Sequence, residues 1–223
     1  MTVHDVARQL PEIAVLREHC RSMAMLEAVL SPEWEDRYYS FDNLSSEKSM
    51  KSMALMRNGS GDEYSIIFSP IGAYIRGFDH ESPMSPYIED GPWPGVLDDV
   101  PDVFRPCIEE PAFTDEDGMP VVTACIWRET SDNGWKAGAI DFPDEETEDP
   151  DGAGYLFQLL VDRSPEAFQR WAEDYYEVSV DLEAVRHVFS SRPLTAEVVR
   201  ALNSEIVLAD LAKDIAEIGY PMS

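Results

Sequence analysis

Asp79, His80 and Glu81 stand together in the stretch IRGFDHESPMSPYIEDGPWPG, which runs from Ile75 to Gly95. Carboxylates and an imidazole are the groups of general acid–base chemistry and of metal binding. Geometry argues against their acting on one another here. If the apolar run Ala73–Phe78 is a strand and continues, successive side chains point to opposite faces. Asp79 and Glu81 then share one face, and His80 points to the other with Phe78. A functional His80 needs a partner from elsewhere in the chain, with Cys125 or a distant acid as the candidates. The competing reading is structural: Asp79 or Ser82 satisfies backbone groups in a turn that ends the strand.

The remaining sequence offers few other sites. Four histidines (His4, His19, His80, His187) are scattered, without an H-x-x-x-H pair, and Cys20, Cys107 and Cys125 lack metal-ligand spacing. There is no G-x-S-x-G, H-E-x-x-H or strand-borne G-x-G-x-x-G. RNGSGDEY (Arg57 to Tyr64) lacks the lysine of a phosphate loop, and Asp62 and Glu63 would repel phosphate. TDEDG and DPDG carry only part of a calcium-loop pattern. These motifs assign no catalytic residue, and no metal or cofactor is expected.

Charge narrows the classes of partner. The chain has 223 residues, with 44 acidic against 17 basic and a net charge of −27. Between Asp79 and Asp151 stand 21 Asp/Glu against Arg105, Arg128 and Lys136, a net of −18. Such a field disfavours nucleic acid and anionic membranes and attracts basic proteins. The first twenty residues form no apolar leader, and no run is long enough to span a bilayer. Three cysteines cannot all pair within one chain, and reduced thiols fit a cytoplasmic setting.

The elements that must position these groups come next. Pro11–Leu30 repeats apolar residues at Ile13, Leu16, Cys20, Met23, Leu26 and Leu30, a helix opened by Pro11 and stopped by Ser31-Pro32. Trp34–Asp42 reads as extended. Ser45–Gly59 reads as a helix with Gly59 as terminator and Met50, Met53 and Met56 along one side. Tyr64–Ser69 and Ala73–Phe78 form a hairpin about Pro70-Ile71-Gly72. A second hairpin pairs Val121–Glu129 with Trp135–Phe142. The last third reads as helices, capped by Asp151, Ser164, Asp181 and Thr195, and the final helix, Ser204–Ile218, ends at Gly219. The acidic stretch Asp144–Gly152 marks the border between sheet and helices. The expectation is one α+β domain over residues 1–223, sheet-rich over 34–143 and helical over 151–220. An antiparallel sheet of four to six strands is packed by an N-terminal helix and a C-terminal helical cluster.

Between the two hairpins lie Pro83, Pro86, Pro92, Pro94, Pro101, Pro106 and Pro111, interleaved with Met84, Tyr87, Trp93, Val96, Leu97, Val103 and Phe104. Proline fixes its own φ and holds the preceding residue extended, so this is a stiff connection pinned by apolar anchors. Long ordered connections often carry function. Asp79, His80, Glu81, Tyr87 and Trp93 are accordingly the expected binding residues.

Two blocks, MRNGSGDEYSIIFSPIGAYIRGFDHESPMSP and LFQLL…WAEDYYE…PLT…LN…IGYP, resemble an uncharacterised family of soluble bacterial proteins. The resemblance covers most of the chain from about Trp34. It implies a single bacterial domain and carries no activity, cofactor or site residue. The functional expectation is a non-enzymatic interaction module that binds a basic protein, of the toxin-neutralising, immunity-like kind. Its rival is an enzyme or small-ligand-binding protein with a pocket around His80.

Overall fold

The computed structural model describes residues 1–43, 51–88, 90–143 and 147–222. Its centre is a five-stranded antiparallel meander in the order β1 (Tyr39–Asp42), β2 (Ser52–Arg57), β3 (Glu63–Ser69), β4 (Gly72–Phe78) and β5 (Ala124–Glu129). Side-chain alternation gives the sheet two faces. One carries Tyr39, Phe41, Ala54, Met56, Tyr64, Ile66, Phe68, Ile75 and Ile126, all in the main core. Against it lies α2 (Ile13–Leu30), whose Leu16, Cys20, Met23 and Leu26 form the buried stripe anticipated from their spacing. A shorter α1 (Val3–Gln9) precedes it, and Pro11 falls in the break, with Glu12 rather than Pro11 preceding the first turn of α2.

The C-terminal helices close the same core. They are α4 (Ala153–Leu156), α5 (Gln158–Val161), α6 (Pro165–Tyr176), α7 (Leu182–Phe189), α8 (Ala196–Leu202) and α9 (Ala212–Ile218). The Ser164, Asp181 and Thr195 side chains accept from the backbone N–H of Ala167, Ala184 and Val198, three of the four caps read from sequence; Gly152 rather than Asp151 holds the cap position of α4, although Asp151 accepts from Ala153 N–H. Gly219 ends α9 in a left-handed conformation, φ 69°. The fold class is α+β, as expected.

The second face of the sheet has its own core. Tyr74, Cys125 and Trp127 pack with Met84, Val96, Phe104 and Val122 from the connection between β4 and β5. That connection holds the proline-rich stretch and one short helix, α3 (Arg105–Ile108). Met84, Trp93, Val96, Leu97 and Phe104 pin it down over the sheet, while Tyr87 and Val103 stay exposed.

Four expectations need correction. Ser45–Gly59 is not a helix over its described part: Ser52–Arg57 is β2, paired with β1 and β3. Pairing on both sides overrides the helical propensity of Met, Ala and Leu. Met53 and Met56 consequently lie on opposite faces; Met50 lies outside the described residues. Trp34–Asp42 forms a strand only from Tyr39, with Trp34–Asp36 forming a 3₁₀ turn. Trp135–Phe142 meets β5 through a single bridge, Trp127 to Lys136. Its groups turn elsewhere: the Trp135 indole donates to Pro11 O at 2.6 Å, the Ala139 N–H donates to Asp99, and His4 meets Gly138 O. The final helix begins late, as a 3₁₀ turn at Leu208–Leu211 before α9.

Candidate functional site

The site is a corner where three turns meet. The β2–β3 turn is organised by Asn58, whose Oδ1 accepts from the N–H of Ser60 (2.8 Å) and Asp62 (3.1 Å). Gly59 and Gly61 supply positive φ values of 75° and 116° inside it. The Asn58 side-chain amide donates to Asp62 Oδ2 at 2.6 Å and to the Tyr155 hydroxyl at 3.2 Å. Asp62 is thereby presented toward the end of β4.

There β4 stops at Phe78, and Asp79 to Glu81 turn away from the sheet. Alternation along a continuing strand therefore does not apply, which removes the reason for separating Asp79 from His80. The backbone N–H of Asp79 donates to Thr123 Oγ1, and Asp79 Oδ1 accepts from Glu81 N–H at 2.9 Å. Ser82 donates to Pro150 O at 2.7 Å and accepts from Met84 N–H. These are the turn bonds anticipated for Asp79 and Ser82. The third turn brings Gly152 (φ 71°) so close that a Cβ there would lie 2.4 Å from that of Asp79.

The partner of His80 is Asp62. Asp62 Oδ1 accepts from the His80 backbone N–H at 3.0 Å and meets the ring Nδ1 at 2.6 Å. Cys125 is buried under the second face, in contact with Tyr74 and Trp127. Burial alone would raise the Asp62 carboxyl, but hydrogen bonds from His80 and Asn58 outweigh it and hold the group below its usual value. The same bond to Asp62 raises His80 above the usual imidazole value. Burial raises Asp79, and the neighbouring Asp62 and Asp149 add to the shift. The pair is thus a hydrogen-bonded imidazole–carboxylate contact beside a second, less acidic carboxyl, that of Asp79.

Asp62, Asp79 and His80 each place one ligand atom within 4.8 Å of the others, so they are the group here that could hold a cation. Both Asp62 oxygens and Asp79 Oδ1 already accept hydrogen bonds, so a cation would have to displace the His80 contact. The other acidic loops are similarly engaged. Asp115 accepts from the N–H of Asp117 and Met119, and Asp149 from those of Gly154 and Tyr155.

The other expected residues separate. Glu81 is exposed. Tyr87 lies edge-on to Phe78 and is 60% exposed, followed by Ile88 at 63%. Trp93 is instead half-buried against the second core, with its indole donating to Asp141 O at 2.9 Å. In the sequence Asp62 stands out only as a group that would repel phosphate. The signal that could have placed it was Asn58-Gly59, a strong hairpin dipeptide when strands flank it. Comparison with family models, curated proteins and solved structures returned no match.

Proposed function

We propose that the chain is a non-enzymatic interaction module that receives a basic protein on the corner formed by Asp79–Ile88, in the manner of a toxin-neutralising, immunity-like protein. The observation that carries this reading is the exposed pair Tyr87–Ile88, set among the exposed acids Glu81 and Asp90. An aromatic anchor ringed by charge is the usual anatomy of an energetic contact, and the surrounding field would speed association with a cation-rich surface. Trp93 serves the fold in this reading, because its indole is tied to Asp141 O.

The test is affinity capture from the source cells with the native chain, followed by titration of the recovered protein. Binding should be saturable, should weaken with salt, and should fall about tenfold or more in Tyr87→Ala. Recovery of no basic partner, or unchanged affinity in Tyr87→Ala, overturns it.

A second reading rests on the 2.6 Å contact between His80 and Asp62. A carboxylate on Nδ1 orients an imidazole and leaves Nε2 to meet a ligand or move a proton. His80 would then serve a small-ligand or catalytic site, which requires that Asp62 control its protonation; the titration that decides this is given in the Discussion.

A further inference from the structure

The proline-rich connection covers only the β4–β5 half of the second sheet face. Among the described residues, that face stays open over β2 and β3 as a groove of about 420 Å³, a size that suits a small molecule. Met53, Leu55 and Ile67 form its floor, each only half-buried while their neighbours on the other face are fully buried. Pro106, Ala112 and Phe113 form its wall.

Two polar side chains lie in this apolar floor. Ser65, opposite Leu55 on β2 and Arg76 on β4, is 1% exposed. Its hydroxyl has no hydrogen-bond partner among the described residues. Leaving such a group unpaired is unfavourable, so an atom that bonds it gains affinity. Arg76 is buried and fixed: Nε donates to Val121 O at 2.7 Å, Nη1 to Glu63 at 2.8 Å, and the guanidinium lies over Phe113 at 5.0 Å. Charge points the same way. Lys51, Arg57 and Arg76 line the groove against Glu63 and Glu110, an excess of one positive charge on a chain of net −27. An anion is repelled by most of this surface and less by a groove with a positive lining.

We infer that the groove binds a small amphipathic carboxylate. Its carboxylate accepts from Ser65 Oγ and the Arg76 guanidinium, and its apolar body runs over Leu55, Met53 and Ile67 toward Cys107. This site is separate from the His80 corner and does not depend on the function proposed for it.

Cys107 reports on occupancy. It lines the groove and is half-buried, whereas Cys20 and Cys125 are fully buried. The experiment follows the rate at which a thiol reagent modifies Cys107 in the full chain, with octanoate as the probe and octylammonium as the charge-reversed control. When octanoate exceeds its Kd tenfold, labelling should slow about tenfold, because only the unoccupied fraction reacts. Octylammonium should protect far less. Ser65→Ala should melt no lower than the native chain, since it deletes an unpaired hydroxyl, yet need about tenfold more octanoate for half-protection. Absence of protection by octanoate, equal protection by octylammonium, or unchanged half-protection in Ser65→Ala overturns the inference. Protection that tracks protein concentration rather than octanoate would assign the groove to a second copy of the chain and overturn it equally.

Discussion

The Asp62–His80 contact joins two turns that are 18 positions apart in sequence. Its energetic sign follows from the shift. His80 is raised in the folded state, so the contact contributes stability below the ordinary imidazole value of about 6.5. That contribution is lost as pH rises through the higher folded value. His80 is exposed enough for water to screen the pair, which makes its titration a better readout than melting. In Asp62→Asn, the largest cause of the shift is removed, and the His80 midpoint should fall in an NMR pH titration. An unchanged midpoint would separate His80 from Asp62 and end the small-ligand or catalytic reading. At this scale the sequence supplied the acid–base groups but not the pairing, because Asp62 reaches His80 only through the β3–β4 hairpin register, in which Glu63 stands opposite Phe78.

Among the elements, legibility followed how local the deciding forces are. The cap residues were readable because a cap is a bond across three residues: Ser164 to Ala167, Asp181 to Ala184 and Thr195 to Val198. Ser164→Ala should therefore lower stability by about 1 kcal/mol, read as a lower melting temperature with an unchanged helical spectrum. A loss within error would mean that packing of Phe168 and Ala172 alone holds the start of α6. β2 was misread for the opposite reason. Its residues favour a helix, and only the ladders to β1 and β3 make it a strand. Trp135–Phe142 failed as a strand because its groups bond to α1, to Pro11 and to Asp99 instead of continuing a ladder on β5.

For the whole molecule, buried carboxyls tie distant parts together. Glu27 on α2 accepts from Tyr38 N–H (2.8 Å) ahead of β1 and from the Tyr176 hydroxyl (2.7 Å) on α6, while its other oxygen is buried without a partner among the described residues. Burial pushes its carboxyl up to about 7. Asp151 accepts from Val3 N–H and Ala153 N–H, joining α1 to α4, and burial pushes it up to about 6. A carboxyl raised on folding stabilises below its unfolded value and loses that contribution as pH rises through the folded one. For Glu27 the window runs from about 4.5 to about 7, and the loss is on the order of 3 kcal/mol. Glu27→Gln keeps the acceptor and cannot ionise. Relative to the native chain, it should gain several degrees of melting temperature between pH 5 and pH 8. A difference that stays constant across that range would show Glu27 ionised in the folded state throughout.

Local pattern was enough for the α+β class, for the buried stripe of α2, for the β3–β4 hairpin and for the caps. Each rests on periodicity or on bonds within a few residues, so the chain order carries the information. Tertiary structure alone decided that Ser52–Arg57 is a strand and that Asp62 holds His80. It also decided that Trp93 is turned inward while Tyr87 stays exposed, and that, among the described residues, the prolines roof half of one sheet face and leave a groove over the rest. Those outcomes depend on which distant surfaces compete for the same backbone groups and apolar side chains, and that competition exists only once the sheet has formed.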